Sequence, residues 1–499
     1  MSGNLYDAFA IDDVDRPLIL GPGPASSYAQ MQALCGRIAN AFVALDVRPG
    51  DRVAVQIEKS VAALALYLAA LRVGAIFLPL NTAYTLSELA FFIEDAEPAL
   101  VVCDPAKEAE IAAFGSGTGR VRTLDAQGQG SLMAEAMAQP TEFETIISDP
   151  DDVAAILYTS GTTGRPKGAM LTHRNLQSNT QALREAWRFT GDDILLHALP
   201  VYHAHGLFVA CNLVMLVGGA MQFLPRFDAG QVISLLPDCT TMMGVPTFYT
   251  RLLRQPGLFE ATRTMRLFIS GSAPLLPETH RLWSERTGYA ILERYGMTET
   301  TMLTSNPYDG DRVPGSVGIP LPGVDLRIAD PDTGKLVPLG DVGMIEVAGP
   351  NIFKGYWNLP EKTAEEFRAD GYFITGDLGR IDEQGYVHIV GRGKDLVISG
   401  GLNVYPREVE AVIDDIPGVQ ESAVIGVPHP DFGEGVIAVI VRQDGSAIDE
   451  KMILSALDSR LSKFKQPKRA VFVDDLPRNA MGKVQKSILR DRFRDLCAS

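Results

Sequence analysis

Short apolar runs alternate with helix-forming stretches along most of the chain. Ser60 to Leu71, rich in Ala and Leu, predicts a buried helix, and Val73 to Leu80 predicts a strand that ends in Pro79. Ser87 to Ala96 then predicts a helix and Leu100-Val-Val-Cys103 another strand. Met215 to Phe223, Thr240 to Gly244 and Leu267 to Ser270 continue the alternation. Buried strands alternating with helices predict an α/β fold, with mostly parallel sheets covered by helices on both faces. From Val317 to Val347 the pattern turns to short alternating strands between Pro and Gly turns, which predicts a small β-rich subdomain.

A second change falls at Gly391-Arg-Gly-Lys-Asp395, which divides a large domain, residues 1–392, from a small one, residues 393–499. Beyond it Val409, Val412, Ile413 and Ile416 follow the i, i+3, i+4, i+7 spacing of a helix packed on a sheet. Strands at Ser422 to Val427 and Val436 to Val441, a helix, and Ala470 to Val473 complete a compact α+β unit.

Composition narrows the class. A chain of 499 residues exceeds one ordinary core, so at least two domains are expected. With 46% hydrophobic and 21% charged residues it reads as soluble and globular. The net charge of −16 argues against a nucleic-acid partner. Met1-Ser-Gly-Asn-Leu-Tyr-Asp7 has no basic start and no apolar core, so no signal sequence is expected. The run Gly206 to Leu224 is uncharged, but Asn212, Gly218-Gly219 and Gln222 interrupt it. It predicts a buried helix leading into a strand, with no membrane span. Cys35, Cys103, Cys211, Cys239 and Cys497 are scattered, odd in number and without C-x-x-C spacing; they read as reduced core thiols of a cytoplasmic protein.

Chemistry enters at Tyr158-Thr-Ser-Gly-Thr-Thr-Gly-Arg-Pro-Lys-Gly168, which follows the apolar run Val153 to Leu157. Glycines free backbone N–H groups to turn inward, hydroxyls add donors, and Arg165 and Lys167 balance phosphate charge. The spacing is not that of the common P-loop, and Pro166 stands where a helix would start. The segment resembles the phosphate-binding signature of the adenylate-forming superfamily of acyl-CoA synthetases, luciferases and peptide-synthetase adenylation domains. Tyr295-Gly-Met-Thr-Glu-Thr300, Tyr372-Phe-Ile-Thr-Gly-Asp377, Gly391-Arg-Gly-Lys-Asp395 and Pro477-Arg-Asn-Ala-Met-Gly-Lys483 follow in the superfamily's order.

The resemblance implies two half-reactions: a carboxylate attacks the α-phosphate of ATP to give an acyl-adenylate and pyrophosphate, then a thiol, that of coenzyme A, displaces AMP. It implies nucleotide contacts from Thr159, Ser160, Gly161, Thr162, Thr163, Gly164 and Lys167, from Ser272 and Ala273, and from Glu293, Arg294, Tyr295, Gly296 and Met297. Asp377 would accept the ribose hydroxyls; Arg392, Lys394 and Gly401 complete the set. Glu299 and Thr163 would hold Mg²⁺, Thr298 would contact the α-phosphate, and Lys483 would bind carboxylate and phosphate together. A mobile small domain turning about Lys394 is part of the same scheme. Lys483, whose charge the reaction needs, would also suit control by a lysine acetyltransferase and deacetylase.

For the acid, His203-Ala-His205-Gly-Leu207 lacks a third metal ligand nearby; by resemblance His205 flanks the carboxylate. In Gly244-Val-Pro-Thr-Phe-Tyr-Thr-Arg251 the helix after Val-Pro walls the acyl pocket in relatives. If it starts near Thr247, Arg251 falls on the inward side, where it suits a second carboxylate better than a fatty acid. The alternative is an Arg251 that faces solvent and pairs with an acid. These segments, with Ser270-Gly-Ser-Ala-Pro274 and Glu293-Arg-Tyr-Gly-Met-Thr-Glu-Thr300, resemble malonyl-CoA synthetases, although Thr301-Met302 departs from some members. The expected substrates are therefore a dicarboxylate (malonate or methylmalonate), ATP and CoA. The alternatives are a CoA ligase for another short or medium-chain acid and an adenylation enzyme that loads a carrier-protein thiol.

Overall fold

The computed structural model describes residues 3–21, 26–114, 120–159, 166–399, 402–458, 460–479 and 482–497. By packing, the chain forms two compact units: Met1–Gly271 with Leu275–Asp325 and Val347–Phe373, and Ser272–Pro274 with Leu326–Glu346 and Ile374–Ser499. The fold is mixed α/β with a smaller C-terminal domain, as the pattern predicts.

The first unit holds two large sheets. In the nine-stranded sheet, Leu292–Met297, Leu267–Ser270, Thr241–Gly244, Ile194–His197, Ala220–Phe223 and Pro17–Leu20 run parallel in that order. The seven-stranded sheet has a parallel core of Val153–Thr159, Ile76–Pro79, Arg52–Gln56, Leu100–Cys103 and Arg120–Thr123. Helix Val61–Arg72 is capped by Ser60 and buried along nearly its whole length, which explains why its sequence has no polar stripe. Helix His173–Trp187 packs against Lys167–Thr172 of one sheet and Thr301–Ser305 of the other. Its buried face carries Asn175 and Asn179 because their amides donate to the carbonyls of Pro350, Ile352 and Met302.

The uncharged run forms a π-helical turn, His205–Cys211, then the helix Asn212–Val217 and the strand Ala220–Phe223. The strand begins later than Met215 because the helix continues to Val217 and Gly218 closes it with φ 71°. No described helix is long and apolar enough to cross a membrane. All five cysteines are buried and unpaired.

In the second unit a four-stranded sheet comprises Asp325–Ala329, Gly343–Ala348, Phe373–Ile381 and Val387–Arg392. The β-rich segment 326–346 belongs to this unit by packing, and so do residues 391–395, because helix Pro406–Asp414 packs on the strand Val387–Arg392. The other sheet centres on the antiparallel pair Val419–His429 and Gly433–Arg442, with Arg469–Val473 parallel to the latter. One face packs Val424, Val436, Ala438 and Ile440 against helices Pro406–Asp414 and Glu450–Leu457. The opposite face packs Ile425, Ile437 and Val439 against Leu489 of helix Lys486–Arg492. Burial on both faces is why these strands read as continuous apolar runs.

Candidate active site

The phosphate-loop segment joins two antiparallel strands, Val153–Thr159 and Lys167–Thr172, with Thr159 opposite Lys167. Ser160, Gly161, Thr162, Thr163 and Gly164 lie outside the described residues, as does Gly401. Lys167 is buried. Its ammonium lies 2.7 Å from Glu366 Oε1 and 3.9 Å from the centre of the Tyr356 ring. The Tyr356 hydroxyl stands 2.6 Å from Glu366 Oε2 and 3.0 Å from Glu299 Oε1. Burial first, and then Glu299, push the phenol far above its ordinary pKa, so it remains a donor. Lys167 and Glu299, far apart in sequence, are thus linked through Glu366 and the Tyr356 hydroxyl.

Thr298, Glu299 and Thr300 form the turn between Leu292–Met297 and Thr301–Ser305. Glu299 is buried and Thr298 half-buried. Gly296 is obligatory here, since a Cβ would overlap the Thr301 carbonyl. Tyr295 and Met297 are half-buried on the same strand, and Glu293 accepts the Gly315 N–H. In the second unit, Ser272 adopts φ +70° and Ala273 beside it is half-buried.

Arg294 sits differently from its neighbours. It is 4% exposed, and its Nε and Nη2 atoms have no hydrogen-bond partner. A Cβ on Gly271 would collide with its guanidinium, so that glycine leaves the space it fills. Burial lowers its pKa to about 9, which leaves it charged at neutral pH. Burial first and this guanidinium second hold His205 well below the ordinary histidine range and bring His203 to about 4. Tyr249, whose phenol feels the same guanidinium, donates to the Ile269 carbonyl at 2.6 Å. Basic groups therefore converge here, and no carboxylate pairs with Arg294 among the described residues. An unpaired buried cation is costly unless an anion arrives.

Arg251 does not turn inward as expected. The helix starts at Pro246, one residue earlier than Thr247, and buries Tyr249 and Leu252. Arg251 is two residues from buried Tyr249, about 200° round the helix from it, and falls on the exposed side. It faces solvent, but no acid pairs with it among the described residues, so the alternative reading is met only in half. The resemblance groups Arg294 with the nucleotide because it lies in Glu293-Arg-Tyr-Gly-Met297; the small residue at Gly271 is the signal that a bulky side chain lies against that backbone.

The remaining groups lie in the second unit. Asp377 and Arg392 are opposite one another on paired strands, and Arg392 Nε lies 3.0 Å from Asp377 Oδ1. Lys483 sits on a tight turn: Asn479 and Lys483 exchange hydrogen bonds at 3.0 Å, and Arg478 donates to the Gly482 carbonyl at 2.7 Å while pairing with Glu421. Burial of the ammonium first, and then Arg392, lower the Lys483 pKa to about 8, while Asp377 and Asp395 oppose the shift. Lys394 is exposed, but partial enclosure of its ammonium and the nearby Arg392 lower its pKa too.

The description "AMP-binding enzyme" matches residues 7–357 and "AMP-binding enzyme C-terminal domain" matches residues 408–483. The crystal structure of ATP-bound MatB from Rhodopseudomonas palustris is similar at 61% identity and TM-score 0.98, covering 99% of this chain and 100% of that one. A feruloyl-CoA synthase from Amycolatopsis sp is 39% identical over 94% of each chain. A malonate–CoA ligase from Arabidopsis thaliana is 34% identical over 98% of this chain and 89% of its own.

Proposed function

The chain belongs to the AMP-binding enzyme family and is an AMP-forming acyl-CoA synthetase that uses ATP and CoA, and on that premise we propose that its acid is a short dicarboxylate, malonate first. The buried guanidinium of Arg294, with two nitrogens unpaired and histidines beside it, carries this reading. One carboxylate of the acid must stay free to attack phosphorus, so only a second carboxylate can neutralise Arg294 throughout the reaction. Arg251, unpaired on the exposed side of its helix, can approach the same acid from solvent. The likeness to MatB and to the malonate–CoA ligase supports the reading.

The first step forms a bond between the reacting carboxylate oxygen and the α-phosphorus and expels pyrophosphate. Lys483 bridges the two anions and stabilises the charge that builds between them. Asp377 with Arg392 holds the ribose, Thr298 orients the α-phosphate, and Lys167 neutralises the outer phosphates. Glu299, a buried oxygen donor in this structure, suits Mg²⁺, which it would hold with Thr163 and which neutralises phosphate charge when bound. In the second step the CoA sulfur attacks the acyl carbon, and AMP leaves with the oxygen it gained. We retain Lys394 as the pivot about which residues 393–499 turn between the steps.

The likeness to feruloyl-CoA synthase favours one other reading, an aryl acid, with Phe227 and Phe248 stacked at 4.0 Å as a flat wall. Such an acid would leave Arg294 without a counter-charge. Pyrophosphate release measured with malonate, methylmalonate, acetate, oxalate, octanoate and ferulate decides between them. Malonate should lead with AMP as the nucleotide product; a lead for ferulate or octanoate refutes the dicarboxylate assignment.

A further inference from the structure

Lys59 is another buried cation, and it lies near the acid site's histidines. Its ammonium is 2.6 Å from His197 Nδ1, 2.8 Å from the His197 carbonyl oxygen and 4.1 Å from the centre of the Phe223 ring. Those directions occupy its three N–H bonds, and no carboxylate pairs with it among the described residues. Burial lowers its pKa to about 7. A lysine is an expensive way to fill a protein interior, so its placement calls for a reason.

His197 supplies one. Its Nε2 stands 2.8 Å from the Gly206 carbonyl oxygen. A carbonyl only accepts, so Nε2 carries the hydrogen, and the Nδ1 lone pair then accepts from Lys59. Burial and the adjoining Lys59 hold His197 far below its ordinary pKa, which rules out the doubly protonated ring. Gly206 directly follows His205 at the start of the π-helical turn. The turn is tightly seated, because a Cβ on Gly206 would overlap the Pro200 carbonyl. At its other end Cys211 Sγ lies 3.4 Å from the same His197 Nε2. A π-helical turn departs from ordinary helical register, and an outside donor to one of its carbonyls fixes where it lies.

We propose that Lys59 is a positioning residue for the acid site: its bond to His197 Nδ1 keeps the His197 hydrogen on Nε2, and the resulting bond to the Gly206 carbonyl fixes the turn that carries His205. The proposal rests on reading His205 and Arg294 as the acid site.

Lys59→Met keeps the apolar length and removes the donor, so His197 is free to move its hydrogen to Nδ1. A glutamine at position 197 offers an amide N–H near the Nε2 position whatever Lys59 does. Lys59→Met should therefore raise KM for the best acid about tenfold, with KM for ATP and kcat within about twofold of the parent. Adding His197→Gln to Lys59→Met should recover most of the loss, an outcome that a merely structural role would not give. An unchanged acid KM, equal rises in the acid and ATP KM values, or no recovery in the double variant would each overturn the proposal. If Lys59→Met does not fold, His197→Gln against His197→Ala decides the same point. The donor account requires a near-parent acid KM in the first and a raised one in the second; equal values contradict it. A parent enzyme that prefers a monocarboxylate refutes the dicarboxylate reading, while the Lys59 comparison is still made with that acid.

Discussion

Arg294 and Lys483 are both basic groups with lowered pKa values, yet they stand in opposite surroundings. Arg294 is enclosed in the first unit with other bases, no carboxylate pairs with it among the described residues, and its guanidinium is left partly unbonded. Lys483, in the second unit, lies on a turn, half-buried, with Asp377 and Asp395 among the charges around it. Uncompensated charge that cannot move suits a ligand group that stays ionised throughout the reaction. Partly compensated charge on a turn suits a group that appears only in the transition state, because its neighbours stabilise the cation when no substrate is present. In the proposed function the first kind of site selects the acid and the second drives its chemistry.

The largest expected effect comes from the second kind. Lys483→Ala should lower malonyl-adenylate formation, read by pyrophosphate release, about a thousandfold. The same variant should still convert synthetic malonyl-AMP and CoA to thioester; equal loss in both steps would break the division of labour. Arg294→Met should lower kcat/KM for malonate about a hundredfold, because a buried charge-assisted contact is lost. Its KM for ATP should hold, and a rise in that value would return Arg294 to the nucleotide. Arg251→Ala, at an exposed position, should cost about tenfold in KM for malonate and little in kcat. No change there would leave Arg294 as the sole arginine reading the second carboxylate.

The smallest effect is in pH dependence. In the proposed mechanism the ammonium of Lys483 is the active form, so its contribution would be present below pH 8 and lost as pH rises through about 8. Adenylation kcat/KM should therefore fall on the alkaline side, by about half when pH equals that pKa. Lys483→Arg should move this limb upward, whatever its rate; a limb that stays in place belongs to another group. Arg294, at about 9, should add to the alkaline loss only about one pH unit later than Lys483.

Much of this was legible in the chain. The strand Leu100–Cys103 and the helices near Ser60 and Ser87 appear where the apolar pattern puts them, because residues buried on all sides leave little ambiguity. The ordered motifs pointed to the family. What the pattern missed depends on tertiary partners. The side that Arg251 takes is set by the burial of Tyr249 and Leu252, a tertiary choice that the segment alone does not show. The π-helical turn cannot be read from periodicity, because a donor on another strand, His197, helps to hold it. Nothing in the sequence singles out Lys59, and the ring of His197 and the face of Phe223 show that it is interior. Arg294 reads with the nucleotide contacts of its own segment, and that its guanidinium fills the space beside Gly271 depends on tertiary packing the segment does not show.

The central claim is that Arg294 makes this enzyme specific for a second carboxylate. It is tested most directly by the ratio of kcat/KM for malonate over propionate, measured by pyrophosphate release in the parent and in Arg294→Met, with KM for ATP followed in both. The account predicts a ratio of about a hundred or more in the parent and its collapse toward one in the variant. A parent that accepts propionate as readily as malonate, or a variant that keeps the preference while ATP binding is intact, would contradict it.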